Sequence, residues 1–280
     1  MEFDVIREHV LRPVGKQIRH AKYSMLDALD QLLGRQDDLV PPRRMVANIG
    51  GGDFRRIGNE FLPYFIELGN LQPHHRVLEV GCGVGRMAVA LMPYLKEKGR
   101  YDGMDIVAEA IDWCQHHITP RNGNFTFHQV DIYNKKYNPK GTRAPSEYTF
   151  PFEDHSFDFI FLTSVFTHML PRDMERYLSE ISRVLKVGGR CLITYFLLNP
   201  ESKQRMEAKV SRREFGYELE GCRVRDREIP EREVAFEEQT VRGLYQRHHL
   251  AIMEPIRYGS WSGKPDYLSY QDIVVASRTA

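Results

Sequence analysis

The sequence offers little that would tie the chain to a membrane, a metal ion or an oxidising compartment. Its 280 residues include only four cysteines, Cys82, Cys114, Cys191 and Cys222, and they form no CxxC pair. A zinc knuckle or a redox dithiol is therefore not expected, and the cysteines are predicted to be reduced thiols. No run approaches about 18 uninterrupted apolar residues, so no membrane-spanning helix is expected. The first residues are acidic where a signal peptide would be basic, which predicts a cytoplasmic protein.

An excess of charge of one sign is also missing. Lys and Arg together number 39 and Asp and Glu number 38, which gives a formal net charge of +1. General nucleic-acid binders normally carry a basic excess, so we expect no nucleic-acid partner. The shares of hydrophobic residues, 42%, and of charged residues, 28%, are ordinary for a globular protein. The sequence leaves monomer and homodimer equally open.

The chain divides by pattern into four parts. Residues 1–70 place apolar residues at helical spacing and are expected to form a helical extension on the substrate side. Residues 71–199 alternate predicted strands and helices, which favours a parallel sheet. Charges dominate residues 200–240, which we interpret as a solvated insertion or, alternatively, as a lid over a polar substrate. Residues 241–280 are expected to supply a last helix and two last strands.

The predicted elements of the second and fourth parts are short and regularly spaced. Strands are predicted at residues 76–80, 101–106, 124–131, 157–163, 190–198, 251–258 and 270–277. Helices are predicted at residues 86–95, 108–117, 172–185 and 241–249. The run at 157–165 is almost wholly apolar, as expected for a central strand that is covered on both faces.

The most informative segment is Val-Leu-Glu-Val-Gly-Cys-Gly-Val-Gly-Arg, at residues 77–86. An apolar strand runs through three glycines into a helix, so a nucleotide-like cofactor could press against bare backbone at the helix N-terminus. The fingerprint for NAD is GxGxxG, with its phosphates on that terminus. Here the spacing is GxGxG, and Glu79 stands two residues before the first glycine. A carboxylate at that place would repel a pyrophosphate but would attract an ammonium group.

This segment resembles the first motif, (E/D)xGxGxG, of the class I methyltransferases that depend on S-adenosylmethionine (SAM). Residues 150–160 and 185–190 are similar to that family's lead into strand four and its turn into strand five, with Val187 where proline is usual. The resemblance covers about residues 75–199. It implies an α/β fold with a Rossmann-like seven-stranded sheet, mostly parallel with an antiparallel last strand, and SAM as the cofactor with S-adenosylhomocysteine as the product.

The resemblance also implies a cofactor site. Asp105, which closes the second predicted strand, is implied to accept the ribose hydroxyls, with Ile106 against the adenine. Asp131, which closes the third, is implied to accept the adenine amino group, with Ile132 nearby. Either aspartate alone could be a turn or N-cap residue, but two of them at matching strand ends favour a cofactor site. The implied cofactor-binding residues are Glu79, Gly81, Cys82, Gly83, Gly85, Asp105, Ile106, Asp131, Ile132, Thr163 and Ser164.

The methyl acceptor is expected past strand four, around residues 163–168. His168 is the candidate general base, because a neutral imidazole titrates near physiological pH; the alternative is a histidine that braces the backbone or the cofactor. Asp53 and Arg55, and Tyr258 and Trp261 between the last two predicted strands, are candidate substrate contacts. The alternatives for these four are a helix N-cap, a solvated arginine and packing of aromatic rings.

Motifs that are missing after strand four narrow the choice of acceptor. The chain has no Asn/Asp-Pro-Pro-aromatic stretch of the adenine and glutamine N-methylases, and no cysteine nucleophile for cytosine C5. It also lacks the aspartate cluster of magnesium-dependent members, so no metal is expected. A small-molecule acceptor with a hydroxyl or carboxylate group is favoured, such as a carbohydrate or a secondary metabolite. The alternatives are a protein or RNA methyltransferase, a SAM-binding protein without turnover and an NAD-dependent oxidoreductase.

Overall fold

Alternating strands and helices build the chain around two sheets, as a computed structural model describes for residues 12–35 and 37–280. The helical extension predicted at 1–70 lies outside the described residues at positions 1–11 and 36. The strands are β1 (Arg76–Val80), β2 (Arg100–Asp105), β3 (Phe125–Gln129), β4 (Phe157–Leu162), β5 (Leu185–Tyr195), β6 (Leu197–Leu198), β7 (Tyr217–Leu219), β8 (Cys222–Val224), β9 (Val234–Glu237), β10 (Leu250–Ile252) and β11 (Asp272–Arg278).

The helices surround the larger sheet. They are α1 (Arg12–Leu32), α2 (Arg43–Asn48), α3 (Phe54–Glu67), α4 (Arg86–Leu91), α5 (Ala108–His117), α6 (Pro171–Val184), α7 (Pro200–Glu207) and α8 (Glu238–Arg247). The helix predicted at 86–95 ends at Leu91, because Pro93 has no N–H to continue the helical hydrogen bonds. None of the described helices combines the length and the apolar character needed to cross a bilayer.

The larger sheet has seven strands in the order β10-β11-β5-β4-β1-β2-β3. Strands β1 to β5 pair in parallel, and β11 runs antiparallel to both β5 and β10. The predicted Rossmann-like sheet with an antiparallel last strand is thus confirmed. Parallel strands present their carboxyl ends at one edge, and in such sheets ligands bind at that edge.

Side chains alternate between the two faces of this sheet, and each face buries its own core. Val77 of β1 packs on the face covered by α3, α4 and α5, together with Phe65 and Ile111. Leu78 packs on the opposite face, with Leu178 of α6 among its neighbours. Burial on both faces explains why these strands read as nearly continuous apolar runs.

Residues 200–240 form part of a second sheet. Its four strands lie in the order β6-β9-β8-β7, and Cys222, Val224 and Phe236 are buried within it. The many charges of this segment lie around those buried strands, for example in the ion pair between Arg225 and Glu233 at 3.0 Å. The segment is therefore packed against the rest of the chain. The division into four functional parts stays a prediction.

Candidate functional site

A cavity of about 690 Å³ opens at the carboxyl ends of β1, β2 and β4. Its size is typical of small-molecule sites, which span about 300–1,000 Å³. Ten of the residues predicted to bind the cofactor or to act on the acceptor line it: Glu79, Gly81, Cys82, Gly83, Asp105, Ile106, Ile132, Thr163, Ser164 and His168.

The turn from β1 into α4 needs glycine at three places. Gly81, Gly83 and Gly85 have φ angles of +79°, +50° and +75°. These lie in the left-handed region of the backbone, which residues other than glycine rarely adopt. A Cβ on Gly81 would also lie 2.4 Å from a methyl carbon of Val165. A Cβ on Gly85 would lie 2.5 Å from Ile118, so Gly85 faces α5 rather than the cavity. The first two glycines shape the ligand side, and the third permits close packing behind it.

Asp105 connects the end of β2 to this glycine turn. Its Oδ2 accepts a hydrogen bond from the Gly83 N–H at 2.7 Å, and its Oδ1 accepts one from the Val107 N–H at 2.8 Å. Burial raises the pKa of the Asp105 carboxyl, while these backbone donors oppose the shift. A carboxylate has about four lone-pair sites, so Asp105 can still accept hydroxyl donors from a ligand.

Glu79 is a buried acid that faces the cavity. It is 2% exposed, and it accepts a hydrogen bond from the hydroxyl of Tyr101. Burial raises the pKa of Glu79 to about 8, and the charge of Asp105 adds to this, whereas Tyr101 and Arg86 oppose it. A cation placed beside Glu79 would lower this pKa and restore the charge of the carboxylate.

Arg86, which the sequence analysis did not assign to the site, lines the same cavity. Its Nη2 donates to the Gly51 carbonyl oxygen, but its buried Nε has no hydrogen-bond partner among the described residues. Burial lowers the pKa of Arg86, and the charges of Glu79 and Asp53 oppose that. The cavity therefore holds a buried acid, Glu79, and a half-buried cation, Arg86, whose Nε still has a hydrogen to donate.

The loop after β4 is fixed by the neighbouring strands. Ser164 has a φ of +60°, an uncommon conformation for a residue with a side chain. Its N–H donates to Thr194 Oγ1 at 2.8 Å, and its hydroxyl donates to Gln271 Oε1 at 2.9 Å. Gln271 also accepts from Thr194 at 2.7 Å. Thr194 and Gln271 therefore hold Ser164 in place at the site, and no local sequence motif predicts this role for either of them.

His168 lies further along that loop, with its ring edge-to-face against Tyr137 at 5.5 Å between centroids. Its Nδ1 is 3.1 Å from the carbonyl oxygen of Glu231, so Nδ1 must carry the hydrogen of the neutral ring. Burial lowers the pKa of His168 to about 4, with a further contribution from the charge of Lys136. At neutral pH the ring is therefore uncharged and is a weak base.

The structure does not bring Asp131 into the cavity. Its exposed carboxylate accepts hydrogen bonds from the N–H of Thr142, at 3.1 Å, and from the hydroxyl of the same residue. A β-bridge between Ile132 and Arg143 holds the two sides of this loop together. Ile132 faces the cavity, and the preceding aspartate points the other way, as alternation along an extended chain requires.

Asp53 and Arg55 also lie away from the cavity. Asp53 is the N-cap of α3, since its carboxylate accepts the Arg56 N–H at 2.8 Å. The Arg55 guanidinium forms an ion pair with Asp37 at 2.6 Å. These contacts agree with the alternatives given for the two residues in the sequence analysis, a helix N-cap for Asp53 and a solvated arginine for Arg55.

Tyr258 and Trp261 contact other acids of the protein instead of the cavity. The Tyr258 hydroxyl donates to Glu238 at 3.0 Å. Trp261 is fully buried, and its Nε1 donates to Asp272 at 2.8 Å. The structure therefore places Trp261 within the core. In residues 12–35 and 37–280, no group of three His, Cys, Asp or Glu side chains is placed to hold a metal ion.

Comparison with known proteins relates part of this chain to a described family. Residues 78–193 match the family described as a methyltransferase domain. The chain is 28% identical over 120 residues to tRNA N(3)-cytidine methyltransferase METTL2 of Gallus gallus, covering 42% of this chain and 30% of that one. It is 25% identical over 147 residues to phosphoethanolamine N-methyltransferase 3 of Arabidopsis thaliana, covering 52% and 26%. The chain spans less than half the length of these relatives.

A solved S-adenosylmethionine-dependent methyltransferase of Clostridium acetobutylicum superposes on the chain with a TM-score of 0.52. The two are 15% identical, and the match covers 82% of this chain and 94% of that one. This likeness concerns the fold alone, and it agrees with the sheet order and with the family match at 78–193. Residues 78–193 thus match a methyltransferase domain, and the chain has the fold of solved SAM-dependent methyltransferases.

Proposed function

We propose that this chain transfers a methyl group from SAM to a small-molecule acceptor. One observation carries the proposal: Glu79, Asp105 and the glycine turn line the same cavity as the loop after β4. A cofactor bound to Glu79, Asp105 and the glycine turn would lie beside an acceptor bound at the loop after β4. The sequence favours a hydroxyl or a carboxylate as the accepting group.

The charges of the cavity support SAM over a dinucleotide. Glu79 would meet the ammonium of the methionine part, and the unpaired Nε of Arg86 would donate to its carboxylate. Asp105 has lone pairs left for the ribose hydroxyls, and Ile106 and Ile132 offer apolar contact for the adenine. The buried acid Glu79 would oppose a pyrophosphate.

In this reaction the protein binds SAM and the acceptor and orients them toward each other. Bound SAM supplies a methyl group on a positively charged sulfur, whose leaving thioether is neutral and needs no acid. The residues of the cavity hold the two reactants in line and exclude water, and positioning alone can account for about 7–11 kcal/mol of a barrier. His168, with its Nδ1 hydrogen directed at Glu231, presents a neutral ring to the acceptor side.

Two measurements test the proposed function. Calorimetry with SAM and, separately, with NAD⁺ should show binding of SAM alone. Incubation with SAM and a panel of metabolites should release S-adenosylhomocysteine, and the product mass should increase by one methylene. Binding of NAD⁺ but not of SAM would reject the proposal. Binding of SAM without turnover on any acceptor would favour a SAM-binding protein that is not an enzyme.

A nucleic-acid acceptor is the second candidate, because one relative is named for tRNA. The near balance of 39 basic and 38 acidic residues argues against it. A titration with tRNA at increasing salt distinguishes the two. Affinity that falls steeply with salt would indicate phosphate contacts and would favour the RNA acceptor.

A further inference from the structure

Acidic side chains also line the cavity away from the glycine turn. Glu60 of α3, Asp173 in the first turn of α6 and Glu231 line it, and all three are only partly exposed. Two arginines that line the same region, Arg56 and Arg212, are exposed. Water and salt screen exposed charges more than buried ones. The charges of these three acids are therefore screened less than those of the two arginines.

Glu231 has an unused acceptor in the wall of the cavity. Its Oε2 is buried and has no hydrogen-bond partner among the described residues. An unpaired buried acceptor costs about 1–3 kcal/mol, and more when it is charged. The residue is held in place because its own carbonyl oxygen accepts the hydrogen bond from His168. A ligand with a positively charged donor would relieve this cost.

Asp173 shares the same environment. Burial raises the pKa of the Asp173 carboxyl, and the charge of Glu231 raises it further. A like charge nearby disfavours the charged state of the Asp173 carboxyl. A single cation between them removes the repulsion and pairs both acids at once.

A second unpaired group lies beside His168. Thr167 is 1% exposed, and its Oγ1 has no partner within the part of the chain that the structure describes. It lines a space that continues from the cavity past His168 and Tyr137. A hydroxyl can accept a hydrogen bond, so Thr167 and Glu231 both offer acceptors to a ligand rich in N–H donors.

We propose that the acceptor is a small amine, bound as a cation between Asp173 and Glu231. This inference rests on the methyl transfer proposed above and names its substrate class, in place of the hydroxyl or carboxylate that the sequence favours. A carboxylate acceptor would face two like charges. A hydroxyl acceptor benefits from a base near neutral pKa, and His168, with a pKa of about 4, does not supply one.

The reaction balances without another reactant. The bound ammonium first gives one proton to a neighbouring carboxylate or to water, which frees the lone pair of the nitrogen. That lone pair forms the new N–C bond with the methyl carbon, while the C–S bond breaks and leaves its electron pair on sulfur. The positive charge moves from sulfur to nitrogen, and the product is a methylated ammonium.

Binding to the full chain loaded with S-adenosylhomocysteine tests the proposal without requiring turnover. The probes are ethanolamine, 1,4-diaminobutane and 2-phenylethylamine, each compared with its hydroxyl and carboxylate counterparts by calorimetry. We expect at least one amine to bind about tenfold more tightly than both counterparts, since a cation paired with partly buried carboxylates gains that much. With SAM, the mass of the product should place the methyl group on nitrogen.

Two isosteric variants and one control sharpen the test. Glu231→Gln and Asp173→Asn should each weaken the amine about tenfold or more and leave the affinity for S-adenosylhomocysteine unchanged. Glu228→Gln, at an exposed position of the same segment, should change neither.

If one variant fails to fold, as judged by its melting temperature, the other still decides. Equal affinity for amines and their counterparts, no amine binding, or unchanged amine affinity in a folded variant would overturn the amine assignment. Failure of S-adenosylhomocysteine itself to bind would instead reject the proposed function.

Discussion

The carboxylate of Asp105 accepts the backbone N–H of Gly83 at 2.7 Å, so the end of β2 holds the glycine turn that follows β1. Its other oxygen accepts the N–H of Val107 at 2.8 Å. The family resemblance assigns Asp105 to the ribose of the cofactor. Asp105 therefore also stabilises the glycine turn against which the cofactor would lie. One substitution at this residue affects both.

Replacing Asp105 is expected to weaken SAM binding. In Asp105→Asn the amide can accept fewer hydrogen bonds and carries no charge, so the ribose contact and the fixed shape of the turn are both impaired. Loss of a charge-assisted hydrogen bond of this kind costs about 1–3 kcal/mol. Calorimetric titration with SAM measures this loss directly.

Asp131→Asn is the matched control. Asp131 is exposed and its carboxylate is used by Thr142, so its substitution should leave the affinity for SAM nearly unchanged. An equal loss at both positions would mean that the Asp131 loop turns its carboxylate to the adenine when SAM binds, as the family resemblance implies. Unchanged affinity in Asp105→Asn would reject its cofactor role.

The affinity for SAM should depend on pH through Glu79. Because the pKa of the buried carboxyl is about 8, the free protein holds a proton there below that pH. The ammonium of SAM favours the charged carboxylate, so binding expels the proton. Affinity should rise toward pH 8 by up to about tenfold per unit. The rise should stop where the α-ammonium of SAM loses its proton, since α-amino groups titrate at about 7.7–8.0.

Calorimetry in buffers of different ionisation enthalpy should detect the released proton. In Glu79→Gln the dependence below pH 8 should disappear. Tyr101→Phe removes a hydrogen bond that lowers the pKa of Glu79, so the rise in affinity should shift to higher pH. Binding with no proton released near pH 7 would contradict the assigned contact between Glu79 and the ammonium.

Local patterns were sufficient to predict the parallel strands of the large sheet and the residues at their carboxyl ends. The apolar runs of β1 and β4 and the three glycines are short-range signals, and the family resemblance implies the seven-stranded, mostly parallel sheet. Glu79 and Asp105 stand at strand ends, where backbone direction fixes the location of the side chain. These residues therefore lie where the sequence predicts them.

The acceptor side depends on contacts between distant segments. Glu231 and Gln271 reach the cavity from chain segments far from the motif at 77–86, and no local pattern marks them. Asp131 also stands at a strand end, but its direction is set by pairing with a loop that closes more than ten residues later. The sequence indicates the second sheet only weakly. The charged residue Arg223 stands between the apolar residues Cys222 and Val224, which is the alternation typical of a strand.

Asp272 should matter for stability rather than for catalysis. Its carboxylate accepts the N–H groups of Leu197 at 2.7 Å and of Gly259 at 2.6 Å, and the indole N–H of Trp261 at 2.8 Å. Asp272→Ala would leave three buried donors unpaired, at about 1–3 kcal/mol each. We expect the free energy of unfolding in urea to fall by about 3 kcal/mol or more.

Trp261→Phe removes one of those donors and keeps an apolar ring in the core. It should lower the free energy of unfolding by less than Asp272→Ala does. Since Trp261 is fully buried, SAM affinity and the KM for the acceptor should stay the same. A large increase in the acceptor KM in a folded Trp261→Phe protein would instead support the stacking role that the sequence suggests.

His168 is expected to act as a positioning residue that holds Glu231 at the acceptor side. The amide nitrogen of asparagine can occupy the place of Nδ1, so His168→Asn should keep the hydrogen bond to the Glu231 carbonyl oxygen and most of the turnover. His168→Ala should lower kcat/KM about tenfold or more and leave SAM affinity intact. The wild-type rate should show no inflection near pH 6.5, because the pKa of His168 is about 4. Equal loss of kcat in His168→Asn and His168→Ala, together with a wild-type inflection near pH 6.5, would establish His168 as the general base.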